Sequence, residues 1–192
     1  MNPAITNLVL MLVNMQVARR LDFEDPTVLL YVRIAYVTAT VLVLAIYLYV
    51  RSVILSKNDL TTLKYVEPSS PLSGETGEKL QVTTVKDYDL KQINSSIKGV
   101  FTGLAMMGFM HIYMKYTNPL FMQTISPVKS ALEANIVKIH LFGKPATGDL
   151  KRPFKSASLF GGLGGAGSGD VKTDKASIEK AEISGAGGIK EE

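Results

Sequence analysis

The chain has 192 residues, no cysteine, two histidines (His111 and His140) and a formal charge of +4. These counts exclude disulfides, thiolate metal sites, a cysteine nucleophile and a histidine-rich metal centre, and they leave the redox compartment unread. A mean hydropathy of +0.17 in a chain with a plainly polar tail means that the apolar residues are concentrated in segments. The modest basic excess suits a membrane surface better than a nucleic-acid-binding domain.

Residues 5–18 are apolar but short, and they carry Asn7, Asn14 and Gln16 ahead of Arg19 and Arg20. A cleaved signal peptide places its charge before the apolar run, so this order suits an uncleaved segment that crosses a thinned bilayer or lies in the interface. Residues 27–50 carry the strongest signal, TVLLYVRIAYVTATVLVLAIYLYV, with the single charge Arg33 near the start. A helix rising about 1.5 Å per residue needs roughly 20 apolar residues to cross a hydrocarbon core. Asp25 is placed to cap this helix and Pro26 to open it, while Arg51, Lys57, Tyr47 and Tyr49 suit its exit into the interface.

Residues 52–99 read as a polar loop in which Lys79 to Val85 alternates as a short strand. Residues 100–116, VFTGLAMMGFMHIYMKY, form the next span, with His111 and Lys115 one turn apart on one face. Gly99 and Gly103 form a G-x-x-x-G pair that permits close helix approach. Asn118-Pro119 ends the span. Ser126-Pro127 then reads as the cap and first residue of a re-entrant or interfacial helix through Asn135, with Lys129 and Glu133 spaced for contact. Lys138, Lys144, Lys151, Arg152 and Lys155 face one acid, Asp149, before a Gly-rich tail too poor in apolar surface to order.

The expected fold is therefore an all-α integral membrane protein with two to three transmembrane helices, a re-entrant or interfacial helix and a disordered C-terminal tail. It divides into a membrane domain at 1–137, a basic juxtamembrane segment at 138–160 and the tail at 161–192. Arg19-Arg20 and the basic run both favour the cytosol, which leaves 52–99 lumenal if 27–50 and 100–116 cross. A further crossing by 120–135 makes that loop cytosolic instead.

Two motifs lack their context. Gly162 to Gly167 (GLGGAG) matches a dinucleotide-binding loop but has neither the strand nor the helix it needs. Ser126 and Lys129 match S-x-x-K without a second catalytic group, and the hydroxyl suits a helix cap better. No catalytic constellation, metal site or cofactor is expected, and the chain does not read as an enzyme.

The polar residues inside apolar segments carry more. Asn14, Gln16, Arg33, His111 and Lys115 are costly in lipid and so face protein, water or headgroups. Together they outline a candidate polar groove between short helices. Met106, Met107, Met110 and Met114 are adaptable side chains suited to ordinary packing or to varied apolar clients. Lys151, Arg152 and Lys155 are candidates for an anionic partner.

The stretches MNPAITNLVLMLVNMQVARR, KNDLTTLKYVEP, GEKLQVTTVKDYDL, AMMGFMHIYMKYTNPLFMQ and KIHLFGKPATGDLKRPFK closely resemble the family of third components of the SRP-independent (SND) targeting pathway. That fungal endoplasmic reticulum family also carries the description inorganic phosphate transport. The resemblance runs from residue 1 to about residue 160. It implies an endoplasmic reticulum membrane protein that acts as an insertase beside the Sec translocon; the basic run from Lys138 to Lys155 adds the expectation of a multi-pass chain with a cytosolic C-terminus. The implied partners are associated membrane factors, other SND components, client membrane proteins, the lipid bilayer and a ribosome. Phosphate transport, direct or through transporter biogenesis, is the rival reading, although two or three spans offer no visible repeat around a midplane site.

Overall fold

The computed structural model describes residues 3–68, 78–154 and 178–179. It forms two compact units, one from residues 1–53 and 91–142, the other from 54–90 and 143–192.

The first unit opens with α1 (Pro3–Ala18) and α2, which runs unbroken over Pro26–Lys57. Asp25 caps α2 as its sequence implies, its Oδ1 accepting the Thr27 N–H at 2.8 Å. Val32, Tyr36, Ala39, Val43, Tyr47 and Val50 are buried, and the stripe continues at Ile54. Their spacings of three and four residues give one protein-facing seam. The other faces of α2 are equally apolar but exposed at Leu30, Ile34, Val37, Val41, Leu42, Leu48 and Leu55. Against the seam pack Met107 and Leu120, and Phe23 meets Phe121 at 6.2 Å between ring centroids.

The third helix, α3 (Val85–Gly108), corrects the expected span at 100–116. It begins fifteen residues earlier than that span and ends at a single π turn, Phe109–Tyr113. Lys115 has a φ of +61° and stands beyond that break, so it does not share a helix face with His111. The return is made by three short helices, α4 (Asn118–Met122), α5 (Ser126–Glu133) and α6 (Asn135–His140). Ile125, not Ser126, is the N-cap of α5, and no side chain caps it. The helix expected through Asn135 breaks at Ala134, where ψ is 134°. The expected Lys129–Glu133 bond forms at 2.6 Å.

The second unit corrects the all-α expectation. Strands β1 (Thr62–Pro68) and β2 (Glu78–Thr84) pair antiparallel, from Thr62 opposite Thr84 to Pro68 opposite Glu78. The strand read at 79–85 is β2 shifted by one residue; β1 was hidden in the polar loop. Asn58, at φ +46°, turns the chain out of α2, and Lys86 N–H donates to the Asp59 carbonyl at 2.9 Å. Thr84 then starts α3: its hydroxyl accepts the Asp87 N–H at 3.1 Å, capping the first turn, and donates to the Asp87 carboxylate at 2.7 Å. Ile178 packs on Val66 and Leu80. The rest of the tail expected to be disordered, and Lys155, lie outside the described residues.

Candidate functional site

An open groove of about 270 Å³ lies within the first unit. Its α2 wall is Tyr36, Thr40, Val43 and Tyr47; its α3 wall is Ser96, Gly99, Val100, Gly103 and Leu104; Gln123, Pro127 and Ser130 close the third side. The G-x-x-x-G pair explains the space, but not as expected. No heavy atom stands within 4 Å of where a Cβ would sit at Gly99 or Gly103, so no second backbone approaches there. The two glycines leave the groove open instead of closing a helix pair.

The lining is mixed in chemistry. Tyr and Val side chains supply apolar surface, and the Thr40 and Ser96 hydroxyls supply polarity with their donors bonded. Thr40 Oγ1 donates to its own helix at the Tyr36 carbonyl (2.9 Å) and Ser96 Oγ to the Gln92 carbonyl (3.2 Å). Their lone pairs remain as acceptors, which suits a transient polar visitor better than a fixed ligand.

Of the five polar residues expected to share a groove, two are brought into contact. Arg33 Nε–H donates to His111 Nε2 at 3.0 Å, and His111 Nδ1 lies 3.0 Å from the Tyr116 carbonyl. With Nε2 accepting from Arg33, the ring's other nitrogen is the one left to donate to the Tyr116 carbonyl. The π turn permits this, because it swings His111 off the path of α3 and towards α2. Asn14 is buried, at 4% exposure, on the α1 face, and Gln16 is exposed. Lys115 lines a separate shallow recess with Phe23 and Glu24. Among the methionines, Met107 is buried in the core at 2%, Met110 is half-buried, and Met106 and Met114 are exposed.

In the second unit, Arg152 does not present its charge outward as the basic run suggested. It donates from Nε and a terminal nitrogen to both Asp89 oxygens, at 2.7 Å each. Asp89 is 1% exposed. The Phe154 N–H donates to the Tyr88 hydroxyl at 2.8 Å, and the Tyr88 ring meets Tyr65 and Phe154 edge-on at 5.6 Å. Lys151, next to Arg152, stays exposed. Asp89 escaped the sequence reading because it lay in a stretch taken for loop; a helical period through Leu90, Ile93 and Ile97 was the available signal.

Residues 1–189 match the family model described as Phosphate transport (Pho88). The chain is 64% identical over its full length to SRP-independent targeting protein 3 of Saccharomyces cerevisiae, which it also covers completely. It is 41% identical over 182 residues to the SRP-independent targeting protein 3 homolog of Schizosaccharomyces pombe, covering 95% of this chain and 92% of that one. An uncharacterized protein of the same yeast is 43% identical over 163 residues, 84% of this chain and 81% of its own. No solved structure matches the chain.

Proposed function

This chain belongs to the phosphate transport (Pho88) family, and from that premise we propose that it serves SRP-independent delivery of membrane proteins into the endoplasmic reticulum membrane, as a membrane-embedded, non-catalytic insertase beside the Sec translocon. Its nearest implied partners are that translocon, other SND components and the client segments themselves.

The supporting observation is the pairing of α2 with the groove. Helix α2 is 32 residues long, so at about 1.5 Å per residue it exceeds a hydrocarbon core of roughly 30 Å. One seam of it faces protein, and the remaining apolar faces are bare. A buried Val, Leu or Ile side chain is worth about 1.5–3 kcal/mol. Side chains left in water forgo that gain, and seven of them on the faces of one helix make an apolar surface of the kind that meets lipid or another protein. Lipid supplies the missing burial. A helix so exposed, carrying Thr40 on one wall of a groove whose other walls hold Ser96, Gln123 and Ser130, gives a client's polar flank a path of lowered barrier.

The test fills the groove without touching the core. Gly99→Leu and Gly103→Leu each place a Cβ with no heavy atom within 4 Å and replace a poor helix former with a good one, so the fold should be kept or stabilised. In liposomes holding the purified variant, insertion of a client segment should fall by about tenfold, a barrier increase of about 1.4 kcal/mol. Unchanged insertion with the groove filled would defeat the proposal. Phosphate flux in the same liposomes addresses the family's description. On the present reading that flux is absent from both proteins, and a role in phosphate uptake is indirect, through biogenesis of a transporter.

A further inference from the structure

The second unit is built from two stretches, 54–90 and 143–154, that the whole of residues 91–142 separates in sequence. The Asp89–Arg152 pair joins them through two bonds of 2.7 Å, and the Phe154 N–H reaches the Tyr88 hydroxyl at 2.8 Å. Groups at hydrogen-bond distance share one compartment, because a hydrocarbon core about 30 Å thick cannot pass between them. Any excursion of residues 91–142 into the membrane must therefore return to the side it left.

The first unit's own contacts trace the path. Helix α3 descends from Lys91, and near its end His111 meets Arg33, the eighth residue of α2. The chain reverses between Tyr113 and Asn118. Helix α5 then brings Ser130 to the groove that Tyr47 and Ser96 also line. The 18 residues from Lys91 to Gly108 span about 27 Å, close to one bilayer leaf-to-leaf distance, while the return is broken into three short helices.

We infer that residues 91–142 form a hairpin inserted and withdrawn on one side of the membrane, that 54–90 and 143–154 together make a single cytosolic domain, and that the turn at 19–25 is lumenal. The side follows from the placement of Lys and Arg. Arg51, Lys57, Lys64, Lys86, Lys144 and Lys151 lie at the C-terminal end of α2 or in the second unit, against Arg19 and Arg20 before its start. The expectation that Arg19-Arg20 is cytosolic gives way, since one crossing by α2 parts it from the larger basic group. The inference rests on α2 spanning the membrane, as the proposed function requires.

The chain has no cysteine, so single-Cys variants report without background. Glu24→Cys, Thr62→Cys and Thr147→Cys, all at exposed positions, are expressed in sealed endoplasmic reticulum microsomes and treated with a membrane-impermeant maleimide, with and without detergent. Thr62→Cys and Thr147→Cys should label fully without detergent, and Glu24→Cys at least about tenfold less until detergent is added. Opposite accessibility of Thr62→Cys and Thr147→Cys overturns the hairpin, and protection of both overturns the cytosolic assignment. Labelling of all three in sealed vesicles, with release of the protein by alkaline carbonate, overturns instead the spanning of α2 and with it the membrane-embedded function.

Discussion

Two ion-bearing contacts in this protein have opposite characters. Arg33 leans on the His111 ring and remains exposed, a contact that water can replace. Asp89 and Arg152 are sealed together, 1% and 12% exposed at their side chains. Breaking a buried pair strands one charge and costs about 3–5 kcal/mol, whereas replacing both partners by apolar residues is often neutral. Asp89→Ala should therefore unfold or strongly loosen the second unit, read as new protease cleavage within 54–90. The double variant Asp89→Leu/Arg152→Met should restore protection. If the single change were silent, the pair would contribute nothing to holding the two stretches together. Sequence alone placed Arg152 in a basic run with Lys151 and Lys155; charge counting cannot tell a solvated cation from one that a distant carboxylate has claimed.

At the level of elements, what was legible were sharp local signals. Asp25-Pro26 fixed the start of α2, and the unbroken apolar run fixed its body. The first half of α3 was missed because it is amphipathic: Tyr88, Asp89 and Ile93 turn inward while Lys91, Asn94 and Ser95 face out, so a search for continuous apolar residues passes over it. Strand β1 was missed because its partner, β2, begins ten residues beyond its end and supplies its ladder hydrogen bonds. The corner between α2 and β1 offers a direct measurement. Asp59 Oδ1 accepts the Thr61 hydroxyl at 2.5 Å and the Thr61 N–H at 3.0 Å. The Thr61 hydroxyl, then its N–H, hold the Asp59 carboxyl below its ordinary value. A carboxyl depressed on folding adds stability that is present above its unfolded value, near pH 4, and lost as pH falls through the folded one. Carbonyl NMR titration should find the Asp59 midpoint depressed in the native protein and moved upward in Thr61→Val. Equal midpoints would remove the turn from the account.

For the whole molecule, the sequence carried the helical content and the one helix long and apolar enough to cross a membrane, while the groove depended on three elements meeting and could not be read from any one of them. Gly99 and Gly103 illustrate the gap: a spacing that commonly brings helices together here keeps a space open, because the facing seam of α2 carries Tyr36 and Tyr47. The distribution of charge makes a further claim at this scale. Once Arg152 is bonded to Asp89, the exposed cations among the described residues after α6 are Lys144 and Lys151. If the second unit stands in the cytosol, these two face an anionic partner, and a ribosome approaching the translocon presents RNA phosphates. Each phosphate that a lysine neutralises releases counterions, so binding should weaken with salt by a log–log slope of about 0.7–0.9 per contact. With the full-length protein in nanodiscs, ribosome association measured across a salt series should lose roughly 1.5 from its slope in Lys144→Gln/Lys151→Gln. The second unit should remain intact in that variant, as read by the same protease resistance that Asp89→Ala abolishes. An unchanged slope would mean that these lysines serve to orient the chain in the membrane and do not meet the ribosome.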